Sequence, residues 1–237
     1  GSLGIQFHMS DPVERVEGGS PWTLHLRSGK RLETEALLVG LGRSSRVGTL
    51  GLEKAGVPLN DHGQLVVNER FQTCVPHIYA AGDVIGGHAL ASTAMEEGRM
   101  AMEYPFPSRG SFSVNDITSD LRIRSEASPL LPIGIWTIPE ISMVGETEQG
   151  LRAKRVAHVV GRCSYDANPR GMLIGEGRGL LKLLFSLPDQ KLRGVHIIGE
   201  NACELIAVGL VTMTLGGTAS TFMDTCFNYP TLSDLYK

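Results

Sequence analysis

Gly82 and Asp83 are the residues best placed for chemistry. They close residues 73–83, which read TCVPHIYAAGD. Residues 78–81 have the pattern of a short strand, and Gly82 ends it just before a carboxylate. Glycines at 86 and 87 follow, and a helical run opens near residues 88–89. This order delivers an acid to the carboxyl end of a strand beside a helix start, where parallel sheets receive nucleotide-like ligands. Small residues let a bulky cofactor approach the backbone, and a carboxylate accepts hydrogen bonds from sugar-like hydroxyls. The same residues also read as a strand, a glycine turn and an N-capping Asp. Spacing alone does not separate the two readings. The cysteines point away from redox-pair chemistry. Cys74, Cys163, Cys203 and Cys226 include no C-x-x-C or C-x-x-x-x-C pair. Four isolated cysteines imply a reducing, cytoplasmic setting and mostly buried thiols.

The elements that must position these residues follow from periodicity. Residues 13–17 and 22–26 alternate apolar and polar, and 31–34 follow a Ser28-Gly29 turn, which predicts an antiparallel meander. Residues 36–41, ALLVGL, form a continuous apolar run and read as a strand buried on both faces. Residues 89–104 read as a helix, with its methionines in the core. Residues 105–130 are rich in Pro, Gly and Ser and read as a linker or loop, with a short helix at 116–124. Beyond it, 147–154 is a predicted helix with Glu148 at its amino end. Residues 155–165 read as a strand, and 180–187 with 192–198 as a hairpin. Residues 202–215 are apolar almost all round, so that helix belongs in a core or a subunit interface. The domain division is 1–104, 105–130 and 131–237.

The wording TCVPHIYAAGD resembles the second FAD-contacting motif of the flavoprotein disulfide reductases with two dinucleotide-binding domains. With Gly82-Asp83-Val84-Ile85-Gly86 and 89–96, ALASTAME, it is most similar to the soluble pyridine nucleotide transhydrogenase branch. The resemblance implies that Gly82 and Asp83 meet the ribityl chain of FAD. It also implies that the backbone of Leu90, Ala91 and Ser92 approaches the flavin ring. Residues 132–148 resemble the start of the family's dimerisation domain, which implies a homodimer through 131–237. The implied fold is α/β plus α+β: a partial two-dinucleotide-binding scaffold, then an α+β dimerisation domain. Gly42-Arg43 resembles the end of the NAD(P) domain, but Ser45-Arg46 stand where the family has Pro-Asn.

The segment Phe227-Asn228-Tyr229-Pro230-Thr231 carries the finer assignment. In the disulfide reductases a His directly before this Pro, paired with an acid five residues on, manages the thiol proton. Here Tyr229 and Asp234 occupy those positions. A phenol with a reference pKa of about 10 is a poor proton shuttle at neutral pH. The transhydrogenases, which pass hydride between NADPH and NAD⁺, need no thiol acid–base pair, so the resemblance gives no catalytic residue in this chain.

The chain has 237 residues, 42% hydrophobic and 20% charged, with a net charge of −3. That charge gives no reason to expect nucleic acid or an anionic membrane as partner. No apolar run reaches the roughly 18 residues of a membrane span, and no metal site is expected. Neither pyrophosphate cradle of the family is visible. Gly40-Leu41-Gly42-Arg43-Ser44-Ser45 lacks the third glycine, and Gly175-Glu176-Gly177 precedes a strand. Three readings stand: the C-terminal portion of an FAD-dependent transhydrogenase, a fragment of a dihydrolipoamide dehydrogenase-like reductase, and a non-enzymatic dimerisation or binding module. In each, the chain alone is expected to hold neither FAD nor NAD(P) tightly.

Overall fold

A computed structural model describes residues 4–87, 89–106, 130–175 and 177–237. Contacts divide the chain into two compact units, Gly1–Arg46 and Val47–Lys237. The 116–124 helix and most of the 105–130 linker lie outside the described residues.

The first unit holds the expected meander, strands β1 (Val13–Gly18), β2 (Trp22–Leu26) and β3 (Arg31–Thr34) in sequential order. Its register aligns Val16 with Leu24 and Leu24 with Leu32, a row of apolar side chains on one face. The second turn is tied by Asp11, whose carboxylate accepts the Ser28 amide at 2.8 Å and the Ser28 hydroxyl at 2.7 Å. Those bonds hold the Asp11 carboxyl below its usual range. The buried strand expected at 36–41 is not formed. That segment is irregular, with Leu38 97% and Leu41 95% exposed. A strand buried on both faces needs a neighbour on each side, and among the described residues no strand pairs with it.

In the second unit, residues 47–85 fold around a small apolar cluster of Val47, Val57 and Leu65, flanked by Val75, Ile78, Ala80 and Val84. Two asparagines use the same device to turn the chain. Asn60 Oδ1 accepts the amides of His62 and Gln64, and Asn68 Oδ1 those of Arg70 and Gln72. The strand expected at 78–81 is reduced to a single bridge, Gln72 with Tyr79. Its neighbouring bonds are local: Ile78 O accepts the Thr73 amide and Ala80 N donates to Phe71 O. Helix α1 spans Ala91–Glu103 and begins later than periodicity suggested. Two of its three methionines face water, Met95 71% and Met102 56% exposed, and Met100 is half-buried, so none is a core residue. Helical spacing places residues on a face without saying what covers that face.

Residues 131–237 form a five-stranded antiparallel sheet. In chain order its strands are β4 (Ile133–Ile135), β5 (Ile141–Gly145), β6 (His158–Ser164), β7 (Leu180–Ser186) and β8 (Leu192–Ile198). Across the sheet the order is β4-β5-β8-β7-β6. Helix α2 (Glu148–Ala153) is capped by Thr147, whose hydroxyl accepts the Gly150 amide at 2.9 Å. Helix α3 (Pro169–Ile174) follows β6, and α4 (Ala202–Thr214) and α5 (Ala219–Asp224) follow β8. One sheet face is closed by Leu205 and Ile206 of α4, Phe222 of α5, and Leu232, Leu235 and Tyr236 of the last turn. Leu181, Leu183, Phe185, Val195 and Ile197 meet them from the sheet. The other face of α4 is uncovered, with Val211 56% exposed.

The cysteines depart from expectation. All four are free, Cys74 and Cys226 are exposed, and Cys163 and Cys203 are half-buried. Cys74 and Cys226 lie in loops, while Cys163 on the outer strand β6 packs against the core edge and Cys203 stands in the first turn of α4. Burial and the nearby carboxylates of Asp234 and Asp166 push the Cys163 thiol up.

A transverse row of charge crosses the sheet's other face. Arg162 pairs with Lys182 and Lys182 with His196 in register, and Glu148 of α2 contacts Arg152, Arg162 and Lys182. His196 Nε2 lies 3.0 Å from Glu146 O. Burial holds the His196 pKa below its usual value, the Glu146 carbonyl opposes this, and the Lys182 charge reinforces it. The folded chain therefore takes up this proton less readily than the unfolded chain. Stability from His196 is complete above about pH 6.5 and falls as pH drops towards the depressed folded value. Urea unfolding should show a loss of stability below about pH 6.5 that a His196→Gln variant lacks. Identical pH profiles would remove His196 as the cause.

Candidate functional site

The Gly82-Asp83 turn is built by the helix that follows it. Residues Gly82–Ile85 form a single 3₁₀ turn, closed by the Gly86 amide on Asp83 O at 3.3 Å. Gly82 is buried with φ +80°, and a Cβ there would lie 2.9 Å from the Ala94 Cβ of α1. Both the backbone angle and the close approach require glycine. The Gly82 amide donates to Glu97 Oε2 at 2.7 Å. Leu65 N donates to Val84 O at 2.9 Å and fastens the turn to the apolar cluster. Asp83 itself is exposed. It does not cap α1, because the N-cap residue is Leu90, in extended conformation.

Helix α1 starts on Leu90-Ala91-Ser92, and its first backbone bond runs from Ala94 N to Leu90 O at 3.0 Å. The amides at a helix start have no intrahelical acceptor, and the helix dipole makes that end electropositive. Ala91 and Ser92 are exposed. Thr93, one residue on, is 4% exposed, and its hydroxyl is the only buried side-chain polar atom without a hydrogen-bond partner among the described residues. The structure thus brings Gly82 and Asp83 against the helix that Leu90, Ala91 and Ser92 begin. A buried glycine packed on α1, an exposed carboxylate beside it and an electropositive helix end lie close together. Sequence reading missed Glu97 and Thr93. Glu97 is one of two adjacent glutamates, and nothing in the order of residues marks which one turns inward.

The C-terminal segment lies on the sheet domain. The Tyr229–Pro230 peptide is cis, and the Tyr229 side chain is 71% exposed. Asn168, 3% exposed, holds the segment from a distance. Its Nδ2 donates to Thr231 O at 3.1 Å, while its Oδ1 accepts the Arg170 and Gly171 amides and caps α3. Asp234 is half-buried in the closing 3₁₀ turn, Leu232–Tyr236. Tyr236 donates to Leu205 O at 2.9 Å, and burial raises its phenol well above the usual value. A cleft of about 550 Å³ runs beside the segment, between Val208 of α4 and Pro230-Thr231. Sequence reading also missed Asn168, whose partner is 63 residues away.

The chain thus carries an antiparallel five-stranded sheet with one long covering helix, preceded by a glycine–aspartate turn on a second helix. The chain belongs to the pyridine nucleotide-disulphide oxidoreductases: residues 2–98 match the family's oxidoreductase model and residues 131–237 its dimerisation-domain model. Within it, the chain is 40% identical over 99% of its length to a soluble pyridine nucleotide transhydrogenase of Mycobacterium tuberculosis. It is 38% identical, over 99% of its length, to the protein of that name from Klebsiella pneumoniae. It spans 47% and 48% of those relatives, about half their length. Among solved structures, LpdA from Mycobacterium tuberculosis superimposes with a TM-score of 0.83 at 25% identity, covering 99% of this chain and 48% of that one. The flavoprotein disulfide reductase RclA from Escherichia coli gives a TM-score of 0.81 at 26% identity, covering 95% of this chain and 50% of that one. Among the described residues, no helix is long and apolar enough to cross a membrane.

Proposed function

We propose that this chain is the C-terminal portion of an FAD-dependent soluble pyridine nucleotide transhydrogenase of the cytoplasm. Residues 1–104 are a partial NAD(P)/FAD-binding region whose Gly82-Asp83 turn is one wall of the cofactor site, 105–130 connect, and 131–237 form a homodimer. The observation that carries the reading is the Gly82-Asp83 turn seated on α1, in a chain with a tyrosine where a disulfide reductase needs a histidine. FAD, when bound, supplies a two-electron carrier between NADPH and NAD⁺. Asp83 would accept hydrogen bonds from the ribityl hydroxyls, Gly82 would let the turn that carries Asp83 sit tightly on α1, and the amides of Leu90, Ala91 and Ser92 would face the ring. Tyr229 and Asp234 carry no proton in this chemistry.

The chain by itself is expected to show no flavin absorbance after dialysis, since the pyrophosphate cradles are not among its 237 residues. In a full-length protein carrying it, Asp83→Ala should weaken FAD binding by about 1.5–3 kcal/mol, roughly 10- to 150-fold. Unchanged affinity would take Asp83 out of the site. The same protein should reduce NAD⁺ with NADPH and leave dihydrolipoamide untouched; comparable dihydrolipoamide turnover would favour the reductase reading instead.

A further inference from the structure

We infer that Glu97 is the positioning residue of the Gly82-Asp83 turn. It deepens the reading above and rests on it only in taking Asp83 as the cofactor-facing carboxylate. The Gly82 amide is buried, and its acceptor is a side chain 15 residues further on, Glu97 Oε2 at 2.7 Å. A hydrogen bond to a carboxylate is shorter and stronger than one to a neutral acceptor, and a buried amide without any acceptor is costly. Ala94 and Glu97 stand three residues apart on one face of α1. Ala94 bounds the turn sterically, as the 2.9 Å approach at Gly82 records, and Glu97 bounds it by the hydrogen bond. The neighbouring glutamates on α1 do other work: Glu96 and Glu103 both pair with Arg99.

The consequence is a division of labour between two carboxylates. Glu97 takes the amide and fixes the backbone on which Asp83 sits. Asp83 presents its side chain to solvent. Removing Glu97 frees the turn from α1 and lets Asp83 wander relative to the start of that helix, without touching any group that meets the cofactor.

The test uses the complete ¹⁵N-labelled chain without cofactor. The Gly82 amide resonance should shift when the charged acceptor is replaced in Glu97→Gln and keep its parent position in Asp83→Asn. Amide exchange at Gly82 should rise at least tenfold in Glu97→Ala and return to the parent rate in Glu97→Gln, which keeps an acceptor. A Gly82 resonance unmoved in Glu97→Gln, or unchanged exchange in Glu97→Ala, overturns the assignment. Should Glu97→Ala fail to fold, the Glu97→Gln resonance still decides it. Both readouts are free of flavin. Their failure removes Glu97 alone, whereas unchanged FAD affinity in Asp83→Ala removes the flavin reading and leaves Glu97 in place.

Discussion

Tyr165→Ala should cost about 3–5 kcal/mol of unfolding free energy, a large part of the 5–15 kcal/mol typical of a domain. Tyr165 has no exposed surface and stands where β6 ends and α3 is about to begin. Three glycines make room for it. A Cβ on Gly179 would lie 2.4 Å from its ring, one on Gly199 2.7 Å from the ring, and one on Gly171 2.0 Å from its carbonyl oxygen. The ring thus fills a slot walled by backbone, which cannot collapse when the ring is removed. Its hydroxyl donates to Glu200 O at 2.9 Å, just ahead of α4. Tyr165→Phe keeps the ring and loses that bond, for which about 1 kcal/mol is expected. Urea titration followed by circular dichroism measures both. A loss under about 1 kcal/mol for the alanine variant, well below the range for a buried aromatic, would mean the slot closes on itself.

If the proposed homodimer forms through α4, Val211→Glu should leave a monomer with the fold intact. Ala207, Val211 and the C-cap residue Leu215 lie four residues apart on the face of α4 turned away from the core, and all three are exposed in the single chain. Val208 beside them lines the cleft against Pro230-Thr231. An apolar helix face left uncovered, in a domain whose family model is a dimerisation domain, is the natural seat of a twofold contact. A buried, unpaired carboxylate there costs about 3–5 kcal/mol, or roughly 10²- to 4 × 10³-fold in the dissociation constant. Sedimentation velocity at tens of micromolar should show the parent chain as a dimer and the variant as a monomer. A variant that stays dimeric would move the contact elsewhere, with the exposed Trp136 and Ile138 beyond β4 the next surface to examine.

What could be read from the sequence, and what could not, divides along the range of the interactions. The meander, the hairpin of β7 and β8, and α4 each carry their own periodicity and turn residues, so they were visible in the order of residues. The Gly82-Asp83 turn was visible too, because it is local and chemically distinctive. The strands expected at 36–41 and 78–81 failed for one reason. A strand exists only beside another strand, and apolar composition says nothing about whether a neighbour is present. The methionines of α1 and the depth of the cysteines failed likewise, since burial depends on what packs above a residue. Glu97 and Asn168 act across 15 and 63 residues, and only the folded chain shows which amide and which carbonyl they reach.

The irregular, water-facing stretch at 36–41 also sets how this chain behaves at high concentration. Six residues rich in Leu and Val, without proline or charge, are the kind of segment that recruits a like segment from another molecule into intermolecular sheet. Glu33 and Glu35 on one side and Arg43 and Arg46 on the other act as gatekeepers, and Gly40 interrupts the run. Aggregation of the isolated chain would therefore begin at this stretch, well away from the sheet of residues 131–237 in sequence, and would proceed without that sheet unfolding.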